Sequence, residues 1–468
     1  MGTADGERKQ RGAWYTPEHL VAQVVEAAID EMFVGARHGR TLRIVDPACG
    51  DGRFLVAAVK AVREAGGRAT GVGIDIDRET VDRLEALDDI EVICDDALTS
   101  RWWDGRTGTF DLIIGNPPYL SQLAASTTRG GASARGGGPY ADAAVEFLAL
   151  AADLVDPDGG RVAFVLPQSI LSARDAAEVR ARIDARATMF WSTWTGDRDF
   201  DAQVVTCALA FEFGSGGSAS AAPWSHVVTS RSGVPPCPDV FDGREPPAGR
   251  LGDRARLNAN FRDEYYGMIA AVGDHDTGPP LVTSGLIDPG RCRWGQRSVR
   301  FAKQRFVAPR LDLTMLDPKM TAWAAQRLVP KVLIANQTPI VEAVCDPAGE
   351  WLPGVPVIAA YPLDPLDAVD AAWEIAAVLI SPAVSVWAWH QRGGTGLSPS
   401  TIRLGPTMLA DLPWPTGPID SAVAALRDGD VVGCGRLADA AYGLDDEHAE
   451  VLRAWWQPVY DRILARAP

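Results

Sequence analysis

Seven short runs rich in β-branched and apolar residues, at 42–45, 71–75, 91–94, 110–114, 161–166, 190–195 and 204–213, are spaced through the first half of the chain. Stretches of helical periodicity at 53–65, 78–87, 141–154 and 173–185 lie between them. Parallel strands need long crossovers, which helices supply, so this alternation predicts one doubly wound, Rossmann-like sheet of about seven mostly parallel strands. In such a sheet ligands gather outside the carboxyl ends of the strands, and the residues that end each run become the candidates for chemistry.

The alternation stops at the Gly/Ser/Ala-rich run 214–222, and Pro and Gly recur to about residue 250. We read 1–222 as the first domain, 223–250 as a linker and 251–468 as a second, mixed α+β domain. The second domain shows strand-like pieces at 331–335 and 355–360 and a last amphipathic helix at 445–466 whose Trp455 and Trp456 read as core. At 468 residues and 47% hydrophobic content the chain can bury two cores, so about two to three domains are expected. The apolar stretch 371–389 reads as a buried helix and not a membrane span, because Glu374 and Pro382 interrupt it and Trp373, Trp387 and Trp389 recur along it.

A formal charge of −16 argues against a protein that wraps nucleic acid with its whole surface. The distribution says more. Between residues 285 and 340 ten cations (Arg291, Arg293, Arg297, Arg300, Lys303, Arg305, Arg310, Lys319, Arg327, Lys331) face three Asp, a local excess of seven. A basic island in an acidic chain suits a confined phosphate-facing surface. Seven cysteines without a CxxC pair, and six scattered histidines, predict reduced thiols and no metal site. The polar residues 1–11 lack the apolar core of a secretory signal, so a cytoplasmic location is expected.

The run 110–114 leads through Gly115 into Asn116-Pro117-Pro118-Tyr119. A side-chain amide and proline-held carbonyls at a strand end can accept both protons of an exocyclic amine, while Tyr119 stacks on the ring that carries it. Upstream, Asp46-Pro47-Ala48-Cys49-Gly50-Asp51-Gly52 joins the first strand to a helix through a two-glycine turn, which lets a ligand approach the backbone. Its spacing differs from the GxGxxG that cradles a pyrophosphate and suits a ligand with an amino acid moiety. Asp75 and Asp96 end the next two strands, positioned for ribose hydroxyls and an adenine amino group. Each acid alone often only caps the helix that follows.

The order Trp14-Tyr15-Thr16-Pro17, DPACGDGRF, GIDID, DDAL and NPPY resembles the gamma-group adenine-N6 DNA methyltransferases of the TaqI type, and the resemblance extends over nearly the whole chain. Gly159 to Pro167 is similar to the strand after that family's catalytic motif, and Phe200 to the late-loop aromatic that stacks on a flipped base. Residues 331–335, 376–389, 393–399 and 409–415 resemble recognition-domain signatures more loosely. The resemblance implies S-adenosyl-L-methionine as donor and double-stranded DNA as acceptor. It places Thr16, Asp46, Ala48, Cys49 and Gly50 around the methionine part, Asp75 and Ile76 at the ribose side, Asp96 at the adenine and Pro118 near the sulfonium. The second domain then becomes the target-recognition domain, with Arg291, Arg293, Arg297, Arg300, Lys303, Arg305 and Arg310 as the DNA-facing cations.

Other readings stay open at this point. NPPY also occurs in methyltransferases that act on RNA or on a protein glutamine, and a catalytically idle DNA-binding subunit of a defence complex is a third possibility. The short segment before Tyr15 leaves no room for a nuclease domain, so a monomer that modifies DNA and does not cut it is expected, with any restriction or defence partner on a separate chain. The Gly/Ser/Thr/Arg-rich stretch 122–138 is expected to order on DNA.

Overall fold

The computed structural model describes residues 16–84, 89–119, 135–138, 141–194, 196, 205–214, 223–242, 245–259, 262–396 and 398–466. Its contacts divide the chain into two compact units, Met1–Val227 and Val228–Pro468.

In the first unit the strands are β1 (Thr41–Asp46), β2 (Arg68–Asp75), β3 (Ile90–Cys94), β4 (Leu112–Gly115), β5 (Arg161–Pro167), β6 (Ala187–Thr193) and β7 (Thr206–Phe213). They form one sheet in the order β3-β2-β1-β4-β5-β7-β6. Strands β3 to β5 run parallel, while β7 enters antiparallel between β5 and β6. The direction of winding reverses between β1 and β4, which makes the crevice beyond their carboxyl ends the topological switch point.

The helices are α1 (Glu18–Ala28), α2 (Glu31–Gly35), α3 (Arg53–Glu64), α4 (Arg78–Leu84), α5 (Ala143–Leu154) and α6 (Ala177–Asp184). Helix α3 buries Phe54, Leu55, Ala58, Val59 and Val62, a stripe at helical spacing that meets Val21, Val24 and Val25 of α1 and Ile44, Leu112 and Ile114 of the sheet in one apolar cluster. Each buried Leu, Ile or Val there contributes about 1.5–3 kcal/mol. At the far edge of the sheet, away from the switch point, Asp111 is buried beneath Arg37 (Nε to Oδ1, 3.0 Å) and Arg40 and accepts from the Arg43 backbone N–H at 2.9 Å.

The second unit centres on a four-stranded antiparallel sheet of β8 (Ala255–Ala259), β9 (Lys331–Ala335), β10 (Ala343–Asp346) and β11 (Val357–Pro362), ordered β10-β9-β11-β8. Helix α7 (Ala368–Leu379) packs on it, and α8 (Pro382–Arg392), α9 (Asp420–Arg427), α10 (Val431–Ala441) and α11 (Asp446–Leu464) follow. Trp456 is buried and stacks on Tyr460 with ring centroids 4.8 Å apart.

Several expectations need correction. The stretch 371–389 is not one helix. It breaks into α7 and α8 at a 68° bend, where Ser381 caps the new helix through the Val384 N–H and Pro382 takes its first turn. No single helix among the described residues is long and apolar enough to cross a membrane. The periodicity at 173–185 yields a 3₁₀ turn before α6 starts at Ala177, and β6 begins three residues earlier than its apolar run. The stretch read as linker is largely packed: Val228, Val234 and Phe241 are buried, and Phe241 lies against Trp387 and Tyr442.

Candidate active site

Four strand ends meet at the switch point. Asp46 closes β1, Asp75 closes β2, Asp96 follows β3, and Asn116 follows β4 directly. Parallel register carries them to one edge, with Asp46 beside Gly73, Asp75 beside Cys94 and Val45 beside Ile113.

The turn after β1 is held by its own acids. The Ala48 N–H donates to Asp46 Oδ1 at 3.0 Å, the Gly50 N–H to Asp75 Oδ2 at 2.8 Å, and the Cys49 N–H to the Ile74 carbonyl at 2.9 Å. Gly50 and Gly52 have φ of 50° and 74°, the left-handed region that glycine enters without cost. A side chain on Gly52 would also press into Leu84. Arg53 donates to Asp51 and to the Thr16 carbonyl, tying the segment before α1 to this turn. Sequence reasoning missed that tie.

Asp46 is fully buried, and neither it nor Asp75 is paired with a cation among the described residues. Burial pushes the Asp46 carboxyl up to about 8, against the Ala48 hydrogen bond and with further lifting by Asp75 and Asp51. Burial raises Asp75 as well, opposed by the N–H groups of Asp77 and Gly50. The pocket is therefore short of positive charge. A ligand bearing an ammonium and a sulfonium supplies what these carboxylates lack, and Ile76, 65% exposed beside Asp75, offers an apolar surface for a purine. The residues fit S-adenosylmethionine.

Asp96 is half-buried and accepts from the Leu98 N–H at 3.0 Å, so it does shape the following turn. Pro117 is buried and Pro118 half-buried. Asn116 is gripped at both ends of its amide: Nδ2 donates to Thr16 Oγ1 at 2.9 Å, and the Tyr119 hydroxyl donates to Oδ1. Thr16, expected at the cofactor, thus touches Asn116 of the Asn-Pro-Pro-Tyr segment itself. The amide oxygen keeps a second lone pair with which to accept another hydrogen bond. Gly115 also escaped the sequence reading: a Cβ there would stand 2.4 Å from Asp46 Oδ1, so only glycine lets β4 pass the buried acid. Phe200, Trp14 and Tyr15 lie outside the described residues, as does most of 122–138.

The basic island of the second unit divides. Arg293 and Arg297 turn onto buried Asp288, at 2.7 and 2.8 Å. Arg310 lies over the Trp294 ring and donates to the Gly278 carbonyl at 2.6 Å. Lys331, counted with the phosphate-facing cations, is wholly buried against Asp346. Arg291, Arg300, Lys303 and Arg305 remain exposed.

Strand order, the antiparallel seventh strand and the acid-lined turn at the switch point define a Rossmann-like, S-adenosylmethionine-dependent methyltransferase. Residues 2–186 match the family described as N-6 DNA Methylase. The match does not single out the gamma group within that family. Among curated proteins the chain is similar to the Type II methyltransferase M.CvrRI of Paramecium bursaria Chlorella virus XZ-6E, 29% identical over 25% of this chain and 26% of that one. It is also similar to the release factor glutamine methyltransferase of Haemophilus influenzae, 27% identical over 22% of this chain and 36% of that one. The chain thus matches about a quarter to a third of these relatives' own length. A solved type I restriction-modification system methyltransferase subunit from Streptococcus thermophilus superposes with a TM-score of 0.36 at 20% identity, over 43% of this chain and 45% of that one.

Proposed function

We propose that this chain transfers a methyl group from S-adenosylmethionine to N6 of an adenine rotated out of duplex DNA, and that the second unit selects the target sequence. The observation that carries the reading is the Asn116 amide, held by Thr16 at the end of β4, one strand from the acid-lined turn. The cofactor, bound at Asp46, Ala48, Cys49, Gly50, Asp75, Ile76 and Asp96, supplies an electrophilic methyl carbon.

The chain's own task is to make a poor nucleophile attack. The N6 lone pair of adenine is delocalised into the ring. Hydrogen bonds from the amine to Asn116 Oδ1 and the Pro117 carbonyl favour a tetrahedral nitrogen and localise that pair. No general base is required before transfer, since the amine proton becomes acidic only once the nitrogen is alkylated. Extrusion of the base costs a few kcal/mol. Stacking on Tyr119, and on Phe200 across the ring, returns about 1–3 kcal/mol per aromatic contact. For this to happen the Tyr119 hydroxyl has to leave Asn116 Oδ1 or share it with the substrate amine.

The similarity to a release factor glutamine methyltransferase supports a second reading, in which the planar amine is a protein amide. The exposed cations of the second unit favour nucleic acid over that reading. A restriction or defence partner on another chain is compatible with either.

The test is single-molecule sequencing of DNA from a methylation-free host expressing the chain, beside a host expressing Asn116→Ala. N6-methyladenine within one short motif, present only with Asn116, is the expected result. Unmarked DNA from a host whose soluble protein binds S-adenosylmethionine would overturn the DNA reading in favour of the amide acceptor or an RNA.

A further inference from the structure

Residues Val299–Phe301 and Gln304–Phe306 form a tight antiparallel hairpin in the second unit, with Val299 opposite Phe306, Arg300 opposite Arg305 and Phe301 opposite Gln304. Strand alternation sorts its side chains. One face is anchored: Val299 and Phe301 are buried, Phe301 sits 5.0 Å from the Tyr265 ring, and Phe306 packs on the same cluster. The other face consists of Arg300 and Arg305, directly across from one another and both exposed.

Three features of this hairpin work against its own stability. Like charges on a cross-strand pair repel at a Cβ separation of about 5 Å. The two turn residues, Ala302 and Lys303, have φ of 47° and 67°, where Asn-Gly or Gly-Gly is the comfortable choice. The tip is a third cation, Lys303, exposed between the two arginines. None of the three makes an ion pair or a hydrogen bond among the described residues, whereas neighbouring Arg293, Arg297 and Arg310 are all engaged within the fold. Half of the ten cations between residues 285 and 340 are satisfied within the fold, whereas on this hairpin the compensation is missing at all three positions together, as a surface built to meet a polyanion requires.

We infer that hairpin 299–306 is the phosphate-gripping ribbon of the DNA surface, Arg300 and Arg305 clamping the duplex backbone and Lys303 extending the contact at the tip. The inference rests on the reading of the chain as a DNA methyltransferase. A two-stranded ribbon is also of a size that the major groove admits. Phosphate contacts of this kind position the duplex and carry no sequence information of their own, so base selection is left to other parts of the second unit.

The experiment is a salt titration of full-length protein on a mixed-sequence duplex, with the melting temperature of the free protein measured in parallel. Two variants are compared with the wild type: Arg300→Gln/Arg305→Gln, and Arg305→Glu, which places an opposite charge beside Arg300 and keeps the hairpin folded. The double variant is expected to make the slope of log K against log salt shallower by about 2, since each phosphate contact contributes about 0.9. Arg305→Glu is expected to weaken binding about tenfold or more at low salt. Both are expected to melt no lower than the wild type. A wild-type protein that binds the duplex, with variants of unchanged slope, overturns the ribbon and leaves the methyltransferase reading standing. A wild-type protein that ignores duplex and binds only RNA or single strands overturns both.

Discussion

Asn116 Nδ2 donates to Thr16 Oγ1 at 2.9 Å across a hundred residues of sequence, an arrangement that leaves Oδ1 as the acceptor end of the amide. On the proposed reading, a reversed amide would present an N–H to the substrate amine and repel it. The proposed function makes Thr16 a positioning residue for Asn116, and its carbonyl also accepts from Arg53 of the turn after β1.

Thr16→Val keeps the shape and removes the acceptor. The turnover rate should fall by up to about a hundredfold, the scale of a misplaced reacting group, with S-adenosylmethionine affinity within a few fold. Thr16→Ser should restore most of the rate. Calorimetric affinities beside single-turnover rates check this, and a loss of affinity matching the loss of rate would assign Thr16 to the cofactor alone.

Asp46 makes a prediction about pH. Its carboxyl is pushed up to about 8 by burial, Asp75 and Asp51, against an ordinary value of 3.8. Between those values the folded chain holds a proton that the unfolded chain has released, so the stability of the cofactor-free protein should fall as pH rises from about 4 to about 8 and then level off. Asp46→Asn should flatten that dependence while weakening cofactor binding at least tenfold, a loss of about 1.4 kcal/mol. Melting curves across pH, with and without S-adenosylmethionine, measure both.

Gly115→Ala brings a methyl group to 2.4 Å from the Asp46 carboxylate. Either β4 or Asp46 must shift, at about 1–3 kcal/mol, the usual cost of overpacking. We expect a lower melting temperature together with weakened cofactor binding. A variant as stable and as tightly binding as the wild type would show that the acid can move freely.

Arg297 lies in the basic island and serves the fold. With Asp288 wholly buried between Arg293 and Arg297, Arg297→Gln should cost about 1.5–3 kcal/mol, the value of charged hydrogen bonds. The salt slope of DNA binding should not change. Denaturant melts beside the duplex titration separate this arginine from Arg300 and Arg305.

Much of the first unit was legible because its signals are local. β-branched runs, helical spacing in 53–65 and the glycines of the first turn each act within a few residues, and they predicted all seven strands and the acids at their ends. Boundaries differ where two influences compete, as at Pro382, a proline that interrupts the apolar run in the sequence and begins a new helix in the fold. In the second unit the runs 331–335 and 355–360 announced β9 and β11, but the remaining strands are only two to five residues long, too short for periodicity to declare itself.

The sequence by itself determined the class of sheet, the line of acids at its carboxyl edge and the amide that follows β4, because strand alternation and parallel crossovers leave little choice of where those residues fall. Only the tertiary structure decided which charges are spent and which are free. Lys331 disappears against Asp346, Arg293 and Arg297 close on Asp288, and Arg300 faces Arg305 unpaired. Pairing of that kind depends on register and long-range packing, and a count of charges along the chain carries no information about either.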